Sequence, residues 1–125
     1  MAAERHSVTP SRAEAGARAE ALAAEFLTAR GVTIVARNFH TRFGEIDLIG
    51  RDGATLIFVE VRLRRRDDYG GAGGSITYAK QARLKAAARG YLSRLRREPP
   101  CRFDALLLDA LDPPRIEWVR DAFSE

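Results

Sequence analysis

The sequence has little cysteine and histidine and no long hydrophobic run. The one cysteine among 125 residues, Cys101, excludes a disulfide within the chain and a zinc site built from two or more thiolates. The two histidines, His6 and His40, lie in different segments and form no metal-binding pair. No apolar run approaches the ~20 residues of a membrane span, and the first residues lack the apolar stretch of a secretory signal. We therefore expect a reduced, cytoplasmic protein that does not associate with membranes.

Lysine is almost absent. Of 21 basic residues only Lys80 and Lys85 are lysines, and the others are arginines. Together with abundant alanine, this composition is typical of a bias in genome base composition. Arginine is therefore expected at positions where related chains carry lysine.

The net charge of +4 is distributed unevenly along the chain. Residues 61–97 contain 11 basic and two acidic side chains, whereas residues 1–60 and 98–125 carry net charges of −1 and −4. Such a cationic block favours binding to a polyanion, most simply nucleic acid. A solvated helix face would have the same composition, so charge alone leaves both interpretations open.

Apolar periodicity, caps and turns predict seven elements in one domain over residues 11–125, after a flexible tail over 1–10. Ser11-Arg-Ala-Glu14 is a capping box that opens the first helix. A second helix is expected over about Tyr78–Arg97, because Pro99-Pro100 ends it. Strands are expected over 33–37, 45–49, 56–63, 103–111 and 116–119. This α-β-β-β-α-β-β order predicts an α/β fold with a central mixed sheet flanked by helices.

The Asp52-Gly53 dipeptide predicts a hairpin between the second and third strands. If it forms the loop, Glu45 lies about 5 Å from Glu60, and Asp47 lies diagonally about 7 Å from Glu60. Like charges this close are destabilising unless a cation or a proton lies between them. Oxygen ligands at this separation suit Mg²⁺ or Mn²⁺. The alternative is a solvated sheet edge at which the carboxylates pair with arginines such as Arg42, Arg62 and Arg64.

Two segments of this hairpin resemble a known family. Gly44-Glu-Ile-Asp-Leu-Ile49 followed by Phe58-Val-Glu-Val-Arg62 is similar to the bacterial YraN-like family, which itself resembles Holliday-junction resolvases and other restriction-endonuclease-like nucleases. The similarity extends from about Gly16 to Tyr91, with Arg102-Phe-Asp104 as a weaker continuation. It implies a restriction-endonuclease-like core, metal-dependent cleavage of DNA, and a homodimer that places two sites on two strands.

The resemblance also implies a role for individual residues. The nuclease pattern is an Asp that ends one strand and Glu-x-Lys on the next, which Asp47 and Glu60 match as ligands of Mg²⁺ or Mn²⁺. The carbonyl of Val61 matches the third metal ligand, and Glu20 matches an acidic residue near the metal. Lys80-Gln81 resembles the basic and amide pair of the following helix. The catalytic residues that the pattern implies are Asp47, Glu60, Arg62, Lys80 and Gln81.

The chain departs from this pattern at Arg62, where a lysine is expected. Arginine stays protonated and cannot act as a general base, although it can still donate hydrogen bonds to a phosphate. One interpretation is a nucleic-acid-binding module that has lost turnover, and another is that Lys80 supplies the missing ammonium group. A third is an adaptor whose basic helix binds an acidic protein partner.

The leading hypothesis is a nuclease-like protein that hydrolyses phosphodiesters in DNA. The metal would polarise the scissile phosphate and lower the pKa of an attacking water. A glycine-rich loop, Gly70–Gly74, is expected to close over the bound strand. Six arginines are expected to contact flanking phosphates and make binding sensitive to salt, namely Arg64, Arg65, Arg66, Arg83, Arg89 and Arg94.

Overall fold

The computed structural model describes residues 11–64 and 76–124, and its elements follow the predicted order. The predicted tail and the glycine-rich loop therefore lie outside the described residues. The helices and strands are α1 (Arg12–Ala29), β1 (Thr33–Thr41), β2 (Gly44–Asp52), β3 (Thr55–Leu63), α2 (Tyr78–Leu92), β4 (Cys101–Leu111) and β5 (Pro114–Phe123).

The strands form a five-stranded mixed sheet whose spatial order is the chain order. The pairs β1–β2, β2–β3 and β4–β5 are antiparallel, and β3–β4 is parallel. The parallel pair follows from α2, since a parallel neighbour needs a long crossover connection. The predicted α/β fold with a mixed sheet flanked by helices is confirmed at this level.

One helix covers each face of the sheet. Alternate residues of β3 point to opposite faces, so that Phe58 packs in the cluster beneath α2 and Val59 packs in the cluster beneath α1. From the helices, Leu84 of α2 and Leu27 of α1 are buried in the same two clusters. Within the described residues, no helix combines the length and the apolarity that crossing a membrane requires.

The helix boundaries confirm one predicted signal and correct another. Ser11 Oγ accepts the Glu14 N–H at 3.0 Å, and Glu14 Oε1 accepts the Ser11 N–H at 2.8 Å, so the capping box is present. The second helix ends at Leu92, five residues before the predicted end. Ser93 Oγ donates to the Gly90 carbonyl at 2.8 Å, and the chain beyond it, including Leu95 at 37% exposure, has no buried face to hold a further turn.

The predicted turn between β2 and β3 is displaced by one residue. The loop is Gly53-Ala54, because Asp52 pairs with Thr55. Gly53 has a φ of 62°, and glycine with positive φ at the first loop position is the pattern of a type II′ turn. Each residue of β2 therefore faces a residue of β3 that lies two positions further along the chain than expected. This shift changes the neighbours of every carboxylate on the hairpin.

Gly44 sets the distance between α2 and the start of β2. A Cβ atom built at this position would collide with the main chain of Arg83. Glycine is therefore required by a close approach of the helix and not by an unusual backbone angle.

We predict that Gly44→Ala lowers the free energy of unfolding by about 1–3 kcal/mol, because the helix must shift to accept a methyl group. The matched control is Gly16→Ala. A Cβ atom at Gly16, inside α1, meets nothing within 4 Å, so this change should raise stability by about 0.5–1 kcal/mol. Urea denaturation measures both values, and equal stabilities of the two variants would contradict the close approach.

Candidate active site

Asp47 and Glu60 lie where β2 and β3 separate. The last ladder pair at this end is Leu48 with Val59, so that Asp47 and Glu60 are the next residues along their strands. The Val61 N–H donates to Asp47 Oδ2 at 2.8 Å and not to a main-chain oxygen of β2. The Asp47 side chain therefore takes the place of a ladder hydrogen bond. Its carboxyl group lies beside that of Glu60, and both line the same cleft.

The regular alternation of β2 is interrupted at Asp47. Ile46 and Ile49 both pack beneath α2, although they are three residues apart, whereas Leu48 packs beneath α1. On β1, Arg37 pairs with Leu48 and Phe39 pairs with Ile46. Asn38, which lies between them, has a φ of 50°. The β1–β2 pair is therefore locally irregular at Asp47. For this reason the alternation of side chains along β2 could not predict the face on which Asp47 lies.

Lys80 provides a cation next to the acidic pair. Its Nζ lies 2.7 Å from Glu60 Oε2, and the Glu60 side chain is only 4% exposed. The Lys80 N–H donates to the hydroxyl of the N-cap residue Thr77 at 3.2 Å, which fixes the first turn of α2. A buried acidic side chain is strongly destabilising without a partner, and Lys80 provides that partner for Glu60.

These three residues line a cleft with a volume of about 420 Å³. One wall is the tip of the β1–β2 hairpin, residues 40–45, and another is α2, which contributes Arg83 and Leu84. Arg42 of the hairpin adds a second guanidinium to the lining. The cleft therefore combines a pair of carboxylates with several cations, an arrangement that suits a phosphate and a metal ion together.

Glu45 lies elsewhere than predicted. The sequence predicted that it faces Glu60, but the observed register pairs it with His40 across β1–β2. His40 Nδ1 lies 3.0 Å from Glu45 Oε2. The cause is the displaced turn, which moves Asp47 into the position that had been expected for Glu45.

The environment of Asp47 raises the pKa of its carboxyl group from 3.8 to about 7. Burial is the largest cause, followed by the negative charge of Glu60, and the charge of Glu20 adds a smaller effect in the same direction. The hydrogen bond from the Val61 N–H opposes these effects. Asp47 thus holds a proton near neutral pH when no cation replaces it.

This pKa predicts how stability depends on pH in the absence of a divalent cation. The folded-state pKa lies above the unfolded value, so folding favours the neutral carboxyl group, and stability is lost as the pH rises from about 4 to about 7. Asp47→Asn removes this loss. We expect the variant to exceed the parent protein by roughly 2–4 kcal/mol at pH 8, and the two to converge near pH 4.

Thermal denaturation in EDTA at several pH values measures the difference. Glu25→Gln is the control, because Glu25 is an exposed acid on α1 and its removal should leave the pH profile unchanged. A parent and an Asp47→Asn variant with parallel stability profiles between pH 4 and pH 8 would contradict the raised pKa.

The remaining predicted catalytic and metal-binding residues have different surroundings. Gln81 donates from Nε2 to the Ile76 carbonyl at 2.8 Å and so fixes the entry to α2. Arg62 is half-buried on β3 and is not among the residues that line the cleft. Glu20 lies close enough for its charge to affect Asp47. Their catalytic and metal-binding roles stay predictions.

The basic residues predicted to contact phosphates have different surroundings in the described part of the chain, and their role stays a prediction. Arg64 is held by Asp109 at 2.7 Å and by Glu117 at 3.5 Å. Arg94 lies over the rings of Phe39 and Tyr91. Of the others in the described part of the chain, Arg83 lines the cleft and Arg89 lines a separate cavity. Arg65 and Arg66 lie outside the described residues.

Sequence reasoning missed the hairpin tip at residues 41–44. β1 was expected to end at Arg37, but it continues to Thr41 and pairs there with Gly44. The available signal was Gly44, whose position after a short polar stretch marks a tight connection to the next strand. The tip places Arg42 and Phe43 in the lining of the cleft.

The donor set fits a cation that retains much of its water. Within residues 11–64 and 76–124, no group of three or more His, Cys, Asp or Glu side chains is arranged to hold a metal. Mg²⁺ is commonly held by one or two carboxylates together with water and substrate phosphates. Asp47 and Glu60 meet that requirement, whereas a zinc site needs four protein ligands or three with an open position.

Comparison with known proteins gives consistent matches over most of the chain. The model of "Uncharacterised protein family UPF0102" matches residues 19–108. A UPF0102 protein of Nitrosospira multiformis is 54% identical over 108 residues, which cover 86% of this chain and 91% of the relative. One from Nitrosomonas europaea is 50% identical over 110 residues, 88% of this chain and 93% of the relative. One from Cupriavidus taiwanensis is 52% identical over 116 residues, 91% and 86% of the two chains.

Proposed function

This chain belongs to the UPF0102 family, and we propose that it hydrolyses phosphodiester bonds in nucleic acid, preferentially DNA, with Mg²⁺ or Mn²⁺ as cofactor. One observation carries the proposal. Asp47 and the buried Glu60 meet where two strands separate, with the Lys80 ammonium 2.7 Å from the Glu60 carboxylate. Their position on a mixed sheet between two helices also supports the resemblance to restriction-endonuclease-like nucleases.

In this proposal Asp47 and Glu60 hold the cation, with the Val61 carbonyl as a further oxygen donor and Glu20 reaching it through water. The bound cation supplies charge that polarises a phosphate and lowers the pKa of a water molecule. The protein contributes a pair of acids whose mutual repulsion a divalent cation relieves. Burial, together with this repulsion, makes Asp47 retain a proton when no cation is present, and Asp47 would give up that proton to hold a cation.

Lys80 takes the role that the nuclease pattern assigns to the lysine at position 62. Its ammonium group already lies beside Glu60, and its side chain is 44% exposed on the cleft side. It can therefore donate to a phosphate oxygen and stabilise negative charge as that charge develops. Arg62 then needs only to orient the strand or a phosphate, which a permanently charged guanidinium does well. This arrangement favours the relocated lysine over a loss of activity.

Arg42 and Arg83 are the guanidinium groups best placed to hold the phosphates that flank the scissile bond, because both line the cleft. Arg64 is a weaker candidate, since its charge is balanced by Asp109 and Glu117. Binding through phosphates is independent of sequence and falls as salt rises. A homodimer and a cytoplasmic location stay predictions.

A cleavage assay tests this function. Labelled single-stranded, linear duplex and four-way-junction DNA is incubated with the protein in Mg²⁺, Mn²⁺ or EDTA. We expect cleavage of at least one substrate with either metal and none in EDTA, and Arg62→Lys should change the rate little. The proposal fails if neither the parent nor Arg62→Lys cleaves any substrate and calorimetry detects no Mg²⁺ or Mn²⁺ binding.

The salt dependence of binding separates the two alternatives in that case. A non-catalytic module would bind DNA with an affinity that falls steeply as salt rises. An adaptor for an acidic protein would show no such DNA binding. Asp47, Glu60 and Lys80 would then be a structural ion-pair network only.

A further inference from the structure

Phe43 is an exposed aromatic ring in the lining of the cleft. Its relative exposure is 64%, and among the described residues the other large hydrophobic side chains exposed to solvent are Val35, Tyr78 and Leu95. A single exposed hydrophobic residue is ordinary on a protein surface. Phe43 differs from these three because it alone of the four lines the cleft that contains Asp47, Glu60 and Lys80.

The ring is carried by a rigid turn. Thr41 Oγ1 accepts the N–H groups of Phe43 and Gly44, each at 3.1 Å, and its hydroxyl donates to the Gly44 carbonyl at 3.1 Å. Gly44 in turn lies against the main chain of Arg83. The main chain that carries Phe43 is therefore held beside the cleft, and binding a ligand there costs little ordering entropy of the backbone.

Cationic groups line the same cleft as the ring. The Arg42 guanidinium lies over one face of the Phe43 ring, 5.3 Å from its centre, so a base would stack on the other face. Arg83 and Lys80 lie in the same lining. A flat apolar face beside cations is the combination that nucleic-acid-binding proteins use to stack a base while they hold its phosphate.

We propose that Phe43 is a stacking platform for an unpaired nucleobase, so that the strand entering the cleft is single-stranded. This inference rests on the proposed function and names its substrate class. Inside a continuous duplex both faces of a base are covered by its neighbours, so a ring at the cleft gains nothing from paired DNA. An unpaired base offers a free face, and stacking on an aromatic side chain contributes about 1–3 kcal/mol per base.

Tyr78 provides a matched control. It is 88% exposed and lies in the first turn of α2, two residues before Lys80. Two helical residues are about 200° apart around the axis, so Tyr78 and Lys80 lie on nearly opposite sides of the helix. Tyr78 is not among the residues that line the cleft.

Fluorescence anisotropy in EDTA measures binding without cleavage. We expect Phe43→Ala to weaken binding of a single-stranded oligonucleotide by about 5- to 150-fold and binding of a duplex of the same sequence by less than about twofold. Phe43→Trp should retain the affinity, and Tyr78→Ala should leave it unchanged. An oligonucleotide of abasic sites should bind the parent and Phe43→Ala equally.

Equal losses on single-stranded and duplex DNA, or an equal loss from Tyr78→Ala, would overturn the inference. A parent protein that cleaves duplex DNA while Phe43→Ala binds single strands normally would overturn the stacking role but leave the proposed function intact. A parent protein that neither binds nor cleaves DNA would overturn both.

Discussion

Replacing Lys80 with alanine is expected to lower Mg²⁺-dependent cleavage by about 10²–10³-fold, the effect of removing one preorganised donor from a developing negative charge. Lys80 Nζ is 2.7 Å from Glu60 Oε2, so the same change removes the ion-pair partner of the buried Glu60 side chain. Cleavage rates at saturating Mg²⁺ measure the loss. Binding of DNA should persist, since Arg42 and Arg83 remain in the cleft.

Lys85→Ala is the matched control because it removes the chain's other lysine from the same helix. Lys85 Nζ lies 5.8 Å from the centre of the Phe123 ring, and its side chain lines the separate cavity. Its removal should change cleavage by less than about twofold. Lys80→Arg is the control for folding, since it keeps a positive charge beside Glu60. The arginine side chain stays protonated. Equal cleavage rates for folded Lys80→Ala and Lys85→Ala proteins would contradict a catalytic role for Lys80.

Asp104→Ala is expected to lower the free energy of unfolding by about 3–5 kcal/mol, as is usual when one partner of a buried ion pair is removed. Asp104 is fully buried and accepts hydrogen bonds from Arg102 Nε at 2.9 Å, Trp118 Nε1 at 2.9 Å and the Asp121 N–H at 3.0 Å. Arg102 also reaches Asp52 at 2.8 Å. One carboxylate therefore ties β4 to β5 and, through Arg102, to the β2–β3 turn.

Asp109→Ala is the comparison for this network. Asp109 also accepts a hydrogen bond from an arginine, Arg64, but its side chain is 43% exposed. Its loss should cost no more than about 1 kcal/mol. Chemical denaturation measures both variants, and an Asp104→Ala variant no less stable than Asp109→Ala would show that the buried network contributes little.

Much of the fold followed from local signals. The capping box at Ser11 and the alternation of apolar residues in β3 each depend on a few neighbouring residues, and the structure has them as predicted. The end of α2 was wrong because it depends on packing. Basic residues at 94, 96 and 97 continue a helical composition, but no face of that segment is buried. The full length of β1 was missed for a similar reason, since pairing with β2 extends it to Thr41.

The site was predicted in part. The structure places Asp47 beside Glu60, although the predicted turn was misplaced by one residue and the predicted opposing pair was wrong. A Gly at the second loop position was assumed, whereas Gly53 occupies the first. The contact between Lys80 and Glu60 joins residues 20 positions apart through the packing of α2 on the sheet. No local pattern encodes that contact, and the hint available in the sequence was a retained lysine in a chain of arginines.

The most direct measurement compares Mg²⁺-dependent cleavage of single-stranded, duplex and four-way-junction DNA by the parent protein and by Asp47→Asn, purified in parallel. The variant keeps an oxygen that can accept the Val61 N–H but loses the charge of a metal ligand. We predict metal-dependent cleavage by the parent that EDTA abolishes, and none by a folded Asp47→Asn protein. Equal cleavage by both proteins, or none by the parent in Mg²⁺ and in Mn²⁺, would contradict the assignment of this cleft as the active site.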